Sequence, residues 1–311
     1  MRYYLAPMEG ITTHIYRRTY HKYFRSMDKY FTPFLTPHTK RELNTREKKD
    51  ILPEHNAGLY VVPQILSNQA EGFIKTALKL KEYGYREVNL NLGCPSKTVV
   101  GHGRGSGFLI YPEELEAFLD QIFEKVDLKI SVKTRIGKDA PEEFTRLMEI
   151  FTKFPMEELI VHPRTQADQY RNTPHMDRFR YALERSPFPV CYNGDLFDAG
   201  KLAGFEEKFP EVERVMLGRG ILINPELLSY TEVPLEQQKK QIKAFHDELV
   251  ELYGAEMSGE RNVLFKMKEL WSYMARAFAE DEKYVKRIRK TVRLKEYEAA
   301  VDELFAACEL V

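Results

Sequence analysis

Neither sign of charge prevails in this chain. Across 311 residues, Lys+Arg and Asp+Glu are equal at 47 each. No global field therefore draws nucleic acid or an anionic membrane, and a polyanionic partner has to be met by a local patch. Cysteine is scarce, with only Cys94, Cys191 and Cys308. Their wide spacing offers no CxxC pair and no even framework, which argues against a zinc site and a disulfide scaffold and suits a reducing compartment. No apolar run approaches the ~20 residues of a membrane span. The chain enters a strand-like run at once, so no signal or transit segment and a cytoplasmic setting are expected. There is no repeat of solenoid length, no low-complexity tract, and no GxGxxG after the first strand-like run, so a Rossmann dinucleotide site finds no support.

What is present is a rhythm. Short apolar runs, at 2–6, 30–36, 59–66, 87–92, 128–134, 158–162, 189–193 and 214–217, alternate with amphipathic stretches. The latter read as helices at 12–24, 68–83, 112–125, 141–153 and 198–208, with 37–54 a charged excursion. Eight near-continuous apolar strands alternating with helices point to a (β/α)₈ TIM barrel, with a doubly wound open sheet as the alternative. The rhythm changes near Pro234. Beyond it only helices are expected, at 235–253, 263–278, 284–292 and 297–308. The division is therefore a barrel over 1–232 and an all-helical domain over 233–311.

One stretch concentrates chemistry. From Glu87 it alternates, with Val88, Leu90 and Leu92 on one face and Asn89 and Asn91 on the other, and ends at Gly93-Cys94-Pro95. A thiol at the carboxyl end of a barrel strand lies where active sites are built. The loop after it interleaves Gly101, Gly103, Gly105 and Gly107 with His102 and Arg104, and 98–107 reads as a flap carrying the thiol. An unselected cysteine is more often a small buried hydrophobe; the surrounding Asn91, Pro95 and glycines argue otherwise.

The other strand ends also carry candidate site residues. The first run leads into Pro7-Met8-Glu9-Gly10, a turn where backbone can lie against a flat ligand. Gln64 is an amide in an apolar run and needs partners. Lys133 points into the expected barrel mouth, where an ammonium is costly unless something anionic meets it. His162 and Arg164 bracket Pro163 at the sixth strand end. Asn193-Gly194-Asp195 and Gly218-Arg219-Gly220 follow the seventh and eighth strands, the usual phosphate-binding pair of this fold. Together these residues suit a flavin mononucleotide, with Lys133 near its pyrimidine end.

In this order the motifs resemble those of the tRNA-dihydrouridine synthases. They are Ala6-Pro7-Met8-Glu9-Gly10, Gln64, Asn91-Leu92-Gly93-Cys94-Pro95-Ser96-Lys97, Val132-Lys133-Thr134-Arg135, His162-Pro163-Arg164, Asn193-Gly194-Asp195 and Gly218-Arg219-Gly220. Asn-x-Gly-Cys-Pro is the most specific. The resemblance implies an FMN-bearing barrel, a helical tRNA-binding domain and NADPH-dependent reduction of the C5–C6 bond of uridines in the tRNA D-loop and elbow region. It implies Cys94 as general acid, and Pro7, Met8, Glu9, Gln64, Lys133, His162, Asn193, Gly194, Asp195, Gly218 and Arg219 as flavin contacts. Asn91, Arg135 and Arg164 are implied on the substrate side. Two departures stand out: Pro163, which stiffens a turn where the family often has a small residue, and the richness of the glycine loop. A thiol of ordinary pKa near ~8.5 is mostly protonated at neutral pH and so suits an acid. The target base has to leave its stack to be reached.

Residues 234–311 hold 14 Lys+Arg and 15 Asp+Glu, so the tail is not basic overall, but its charge is segregated. Glu280-Asp281-Glu282 opens a helix in which Val285, Ile288 and Val292 share one face and Lys286, Lys290 and Arg293 another. Such a run is usually a solvated face; with the barrel identified it reads as a phosphate-contacting stripe. A monomer without metal is expected. The rival readings are an FMN-dependent reductase of small pyrimidines and a non-catalytic flavin-containing RNA-binding module.

Overall fold

The structure, a computed structural model, describes residues 1–37, 43–229, 233–279 and 282–311. Part of the charged excursion (38–42), the boundary residues 230–232, and Glu280 and Asp281 lie outside the described residues. The chain forms two compact units. The first is Met1–Glu9, Asp28–Gly194 and Phe209–Leu217; the second is Gly10–Met27, Asp195–Lys208 and Gly218–Val311.

The first unit holds nine parallel strand segments: β1 (Arg2–Leu5), β2 (Lys29–Phe31), β3 (Val61–Val62), β4 (Gln64–Ile65), β5 (Glu87–Leu92), β6 (Lys129–Arg135), β7 (Leu159–His162), β8 (Val190–Asn193) and β9 (Arg214–Leu217). Their order is β3-β2-β1-β9-β8-β7-β6-β5-β4. The two ends of that order, β3 and β4, are one expected strand interrupted at Pro63. Proline has no N–H for the ladder, so the pairing breaks there, while the Pro63 carbonyl still accepts from Asn89 N at 2.9 Å. Leu35, beyond β2, pairs with Ile65 in parallel. The sheet thus curls back on itself as a TIM barrel of eight staves, in agreement with the rhythm of the sequence.

Both faces of β5 are buried, as befits a barrel strand. Val88, Leu90 and Leu92 are apolar on one face, and Asn89 and Asn91 point to the other. The interior is apolar where Tyr4, Ala6, Phe31, Val62, Ile160, Cys191 and Met216 cluster. A polar ladder runs beside them. Gln64 Nε2 donates to Asn89 Oδ1 (2.7 Å), Asn89 Nδ2 to Ser131 Oγ (3.0 Å) and Asn91 Nδ2 to Gln64 Oε1 (2.7 Å). Each buried amide answers the next, so none is left to bear its desolvation alone.

The amino-terminal mouth of the barrel is closed by charge. Lys29 Nζ binds Glu87 and Glu158, each at 2.8 Å, and Arg214 approaches Glu158 at 3.4 Å. Tyr4 donates to Glu158 (2.9 Å) and Tyr60 to Glu87 (3.1 Å). Glu87 and Glu158 are 2% and 0% exposed, so these carboxylates depend on their partners.

The second unit is helical: His14–Tyr23, Ala199–Lys208, Arg219–Ile223, Leu235–Glu256, Glu260–Met274, Glu282–Lys290 and Leu294–Ala307. Tyr16, Tyr23 and Phe24 pack their rings against Phe245 at 5.0–6.2 Å. Buried His246 and Trp271 meet at the Tyr297 hydroxyl, at 2.6 and 2.7 Å. Four expected helix positions held to within a few residues, but one detail is corrected. The helix from Glu282 ends at Lys290, and Val292 is 76% exposed rather than continuing the buried face of Val285 and Ile288. Thr291 turns its hydroxyl back onto the Ile288 carbonyl (2.8 Å), and Arg293 is the N-cap of the following helix. No described helix is long and apolar enough to cross a membrane.

Candidate active site

The carboxyl-terminal mouth of the barrel is built differently from the closed one. At the end of β5 the chain turns through Gly93 and Cys94. Asn91 Oδ1 accepts from Gly93 N and from Cys94 N, both at 3.0 Å. The same side chain donates to Gln64, so Asn91 joins the interior ladder to the thiol-bearing turn. Asn91 is 6% exposed and Cys94 is half-buried, whereas Cys191 and Cys308 are buried. Burial pushes the Cys94 thiol up, against a weaker pull from the Ser96 backbone and the charges of Lys133 and Arg135. A thiol so placed keeps its proton at neutral pH, which suits a proton donor and not a nucleophile.

Lys133 stands opposite Asn91 in the register of β5 and β6. No described carboxylate pairs with it, and no described group hydrogen-bonds its ammonium. Burial, and then the charge of Arg135, push its pKa down to about 8. A half-buried cation without a partner is poised to receive an anionic or electron-rich group.

Arg135 and Arg164 are inward-facing, 1% and 2% exposed. Arg135 Nε donates to the Gly93 carbonyl (3.0 Å) and Nη1 to the Thr165 carbonyl (2.7 Å). Its guanidinium lies 5.1 Å from the ring centroid of Tyr170. Arg164 Nε donates to the Asn172 carbonyl (2.6 Å), and Nη1 faces His162 Nε2 at 3.2 Å. A guanidinium can only donate, so His162 Nε2 is the acceptor and a neutral ring carries its proton on Nδ1. Sequence reasoning placed both arginines on the substrate side. In the structure these contacts include backbone carbonyls, the Tyr170 ring and His162.

The loop after β7 is organised by Asp168, which the sequence did not single out. Its carboxylate accepts from Thr165 N (2.8 Å), Thr165 Oγ1 (2.9 Å) and Asn172 Nδ2 (2.5 Å), with His175 at 3.2 Å. Burial opposes ionisation, but the Asn172 and Thr165 donors outweigh it and hold the carboxyl down at about 2. Gln169 follows at φ 51°, the one non-glycine in the left-handed region among the described residues, and Tyr170 beyond it is 52% exposed. The only sequence signal was the run Arg164-Thr165-x-x-Asp168, a Thr–Asp spacing that suits a turn.

The glycine loop is not loose in this structure. Gly105 takes φ 57°, and a Cβ there would lie 2.7 Å from the Cys94 carbonyl oxygen. Ser106 donates to that oxygen from its N (3.1 Å) and its Oγ (2.9 Å). The flap reading therefore meets a loop closed onto the thiol turn.

The remaining expected residues are placed as follows. Pro7 and Met8 are half-buried after β1, and Glu9 pairs with Arg46 at 2.5 Å. Asn193 ends β8 and donates to the Met216 carbonyl at 2.8 Å. A Cβ on Gly194 would lie 2.1 Å from the Tyr192 hydroxyl, so only glycine fits. Asp195, Gly218 and Arg219 belong to the second unit, where Arg219 pairs with Asp195 at 2.7 Å and lies 4.8 Å from the Phe197 ring centroid. Lys286, Lys290 and Arg293 are exposed and have no ion pair among the described residues.

Comparison with known proteins gives the family and the barrel. A family model described as dihydrouridine synthase (Dus) matches residues 4–310. The chain is 27% identical over 237 residues to "tRNA-dihydrouridine synthase B" of Pasteurella multocida, covering 76% of this chain and 70% of that protein. It is 28% identical over 247 residues to "Probable tRNA-dihydrouridine synthase 2" of Bacillus subtilis, covering 76% and 74%. Among solved structures, the old yellow enzyme homologue of Zymomonas mobilis superposes with a TM-score of 0.53 at 12% identity, over 75% of this chain and 89% of that one. A 2-naphthoyl-CoA reductase complex gives a TM-score of 0.57 at 10% identity, over 74% and 50%. At these identities the two structures speak for the barrel alone.

Proposed function

The chain belongs to the dihydrouridine synthase family, and from that premise we propose that it reduces the C5–C6 double bond of uridines in the D-loop of tRNA. The electrons come from NADPH through FMN. The observation that carries this reading is a half-buried thiol in a turn tied to Asn91 at a barrel-strand end, with the unpaired cation Lys133 standing opposite Asn91 in the register. Both features fit a flavin site: a cation lacking an anion, beside an amide ladder whose Gln64 is fixed in orientation.

In this reading Lys133, His162, Gln64, Pro7, Met8 and Glu9 hold the ring system of the flavin. Asn193, Gly194, Asp195, Gly218 and Arg219 hold its phosphate. When bound and reduced, FMN would supply hydride to uridine C6. Cys94 Sγ then gives its proton to C5 as the enolate develops, and a thiol raised by burial is protonated when that demand arises. Lys133 would favour negative charge on a flavin ring bound beside it. Arg135 and Arg164 keep the turn and the His162 ring in place while the base is held. The exposed cations Lys286, Lys290 and Arg293, on 233–311, bind tRNA phosphates.

The test is dihydrouridine formation on unmodified tRNA with NADPH, set beside free pyrimidines. Turnover is expected on tRNA alone. Cys94→Ala is expected to keep flavin and to lose roughly 10²–10⁴ in rate. Full activity in that variant removes Cys94 as the acid, and turnover of free pyrimidines alone makes the protein a small-molecule reductase. Reversing Lys286, Lys290 and Arg293 to glutamate should weaken tRNA binding and lower its log–log salt slope by roughly 2 to 3. An unchanged slope removes this stripe from the interface.

A further inference from the structure

The thiol-bearing turn has four backbone polar groups, and every one of them is held by a side chain: the two N–H groups by Asn91 just before it and the two carbonyls by more distant residues. Gly93 N and Cys94 N donate to Asn91 Oδ1. The Gly93 carbonyl accepts from Arg135 Nε. The Cys94 carbonyl accepts twice from Ser106, through its N and its Oγ. None of these contacts belongs to the β-ladder, so the turn depends on them for its shape. Ser106 is 0% exposed, and its hydroxyl also lies 3.4 Å from Gln166 Oε1. Gly105 brings Ser106 close enough, since any Cβ at that position would strike the Cys94 carbonyl.

We propose that Ser106, with Arg135, is a positioning residue that fixes the direction of the Cys94 thiol, and that the glycine loop exists to deliver the Ser106 hydroxyl to the Cys94 carbonyl. This rests on the reading of Cys94 as the proton donor. A donor in a rigid turn pays little reorganisation when the proton moves, and misplacement by a fraction of an ångström is felt in the rate. Ser106 and Arg135 come from different segments, one after β5 and one on β6, so with Asn91 on β5 the turn is gripped from three sides. Arg135 extends the grip to the loop after β7 through the Thr165 carbonyl.

Ser106→Ala removes the hydroxyl contact and leaves the Ser106 N–H in place. Two measurements on the flavin-loaded enzyme test it. The first, without tRNA, is alkylation of Cys94 by iodoacetamide as a function of pH, with buried Cys191 and Cys308 as internal controls. Loosening the turn should raise the rate about two- to tenfold, the scale of one neutral hydrogen bond, and move the pH midpoint down toward that of a free thiol. The second is stopped-flow oxidation of the reduced enzyme by tRNA. It should slow by a similar factor, with KM for tRNA and the rate of reduction by NADPH unchanged. Arg135→Lys, which keeps charge but cannot span both carbonyls, should show the same signature more strongly. Parent-like alkylation and oxidation in both variants overturn the proposal. So does a parallel loss of flavin and of both half-reactions, which would mark a role in folding only. If the parent enzyme never turns over tRNA, the proposed function fails, and alkylation still decides whether Ser106 holds the turn.

Discussion

The two mouths of the barrel handle charge in opposite ways. At the amino-terminal mouth Lys29, Glu87, Glu158 and Arg214 pair with one another, and two tyrosine hydroxyls donate to the carboxylates. At the carboxyl-terminal mouth Lys133 has no counter-ion among the described residues, and burial has already pulled its pKa down to about 8. One end is an ion cluster of opposite charges paired with each other, and it serves the fold. The other keeps a charge unmet, which costs stability and leaves a place for a ligand. One strand, β5, serves both ends. Glu87 opens β5 in the closed cluster, and six residues later its end carries the thiol turn.

Breaking the closed end should have the larger effect. Lys29→Ala leaves two buried carboxylates without their shared cation, a change that typically costs about 3–5 kcal/mol. Urea unfolding of the variant should show that loss, while the thiol chemistry of the surviving folded fraction stays that of the parent. A stability change within experimental error would mean the cluster does not close the barrel. Lys133→Met acts on the open end in the opposite sense. Flavin retention and turnover should fall, yet the flavin-free protein should become more stable than the parent at pH 7. The sign follows from linkage. Folded Lys133 titrates near 8 and its unfolded form near 10.5, so the unfolded state binds more protons between those values and parent stability rises with pH there. The stability gap should therefore be full below pH 8 and close toward pH 10. Melting temperatures of both proteins across that range check it; a gap that widens with pH contradicts the unpaired-cation account.

Much of the site was legible because it is local. Asn91, Gly93 and Cys94 lie within four residues at a strand end, and an alternating pattern says which way each points. Lys133 followed from the same alternation on β6. The ion cluster was not legible: Lys29 and Glu158 are 129 residues apart, and nothing in either neighbourhood names the other. Ser106 was hidden for a related reason. Its neighbours read as flexibility, because glycine spacing reports what the backbone is able to do and not what it is tied to. Arg135 and Arg164 were found as residues, but whether an arginine faces a ligand or grips carbonyls depends on which loops lie beside it.

By itself the sequence determined the alternation of strands and helices, the polar face of β5, the thiol at its end and the helical character of the last quarter. These follow from periodicity and from residue types next to one another in the chain. Only the tertiary structure decided that Pro63 splits a stave without opening the barrel. It also decided that the charges at one mouth cancel while Lys133 at the other stays unmet, and that the Cys94 turn is held from three sides. Pairings of that kind are set by which strands close against which, and that closure is a property of the whole barrel.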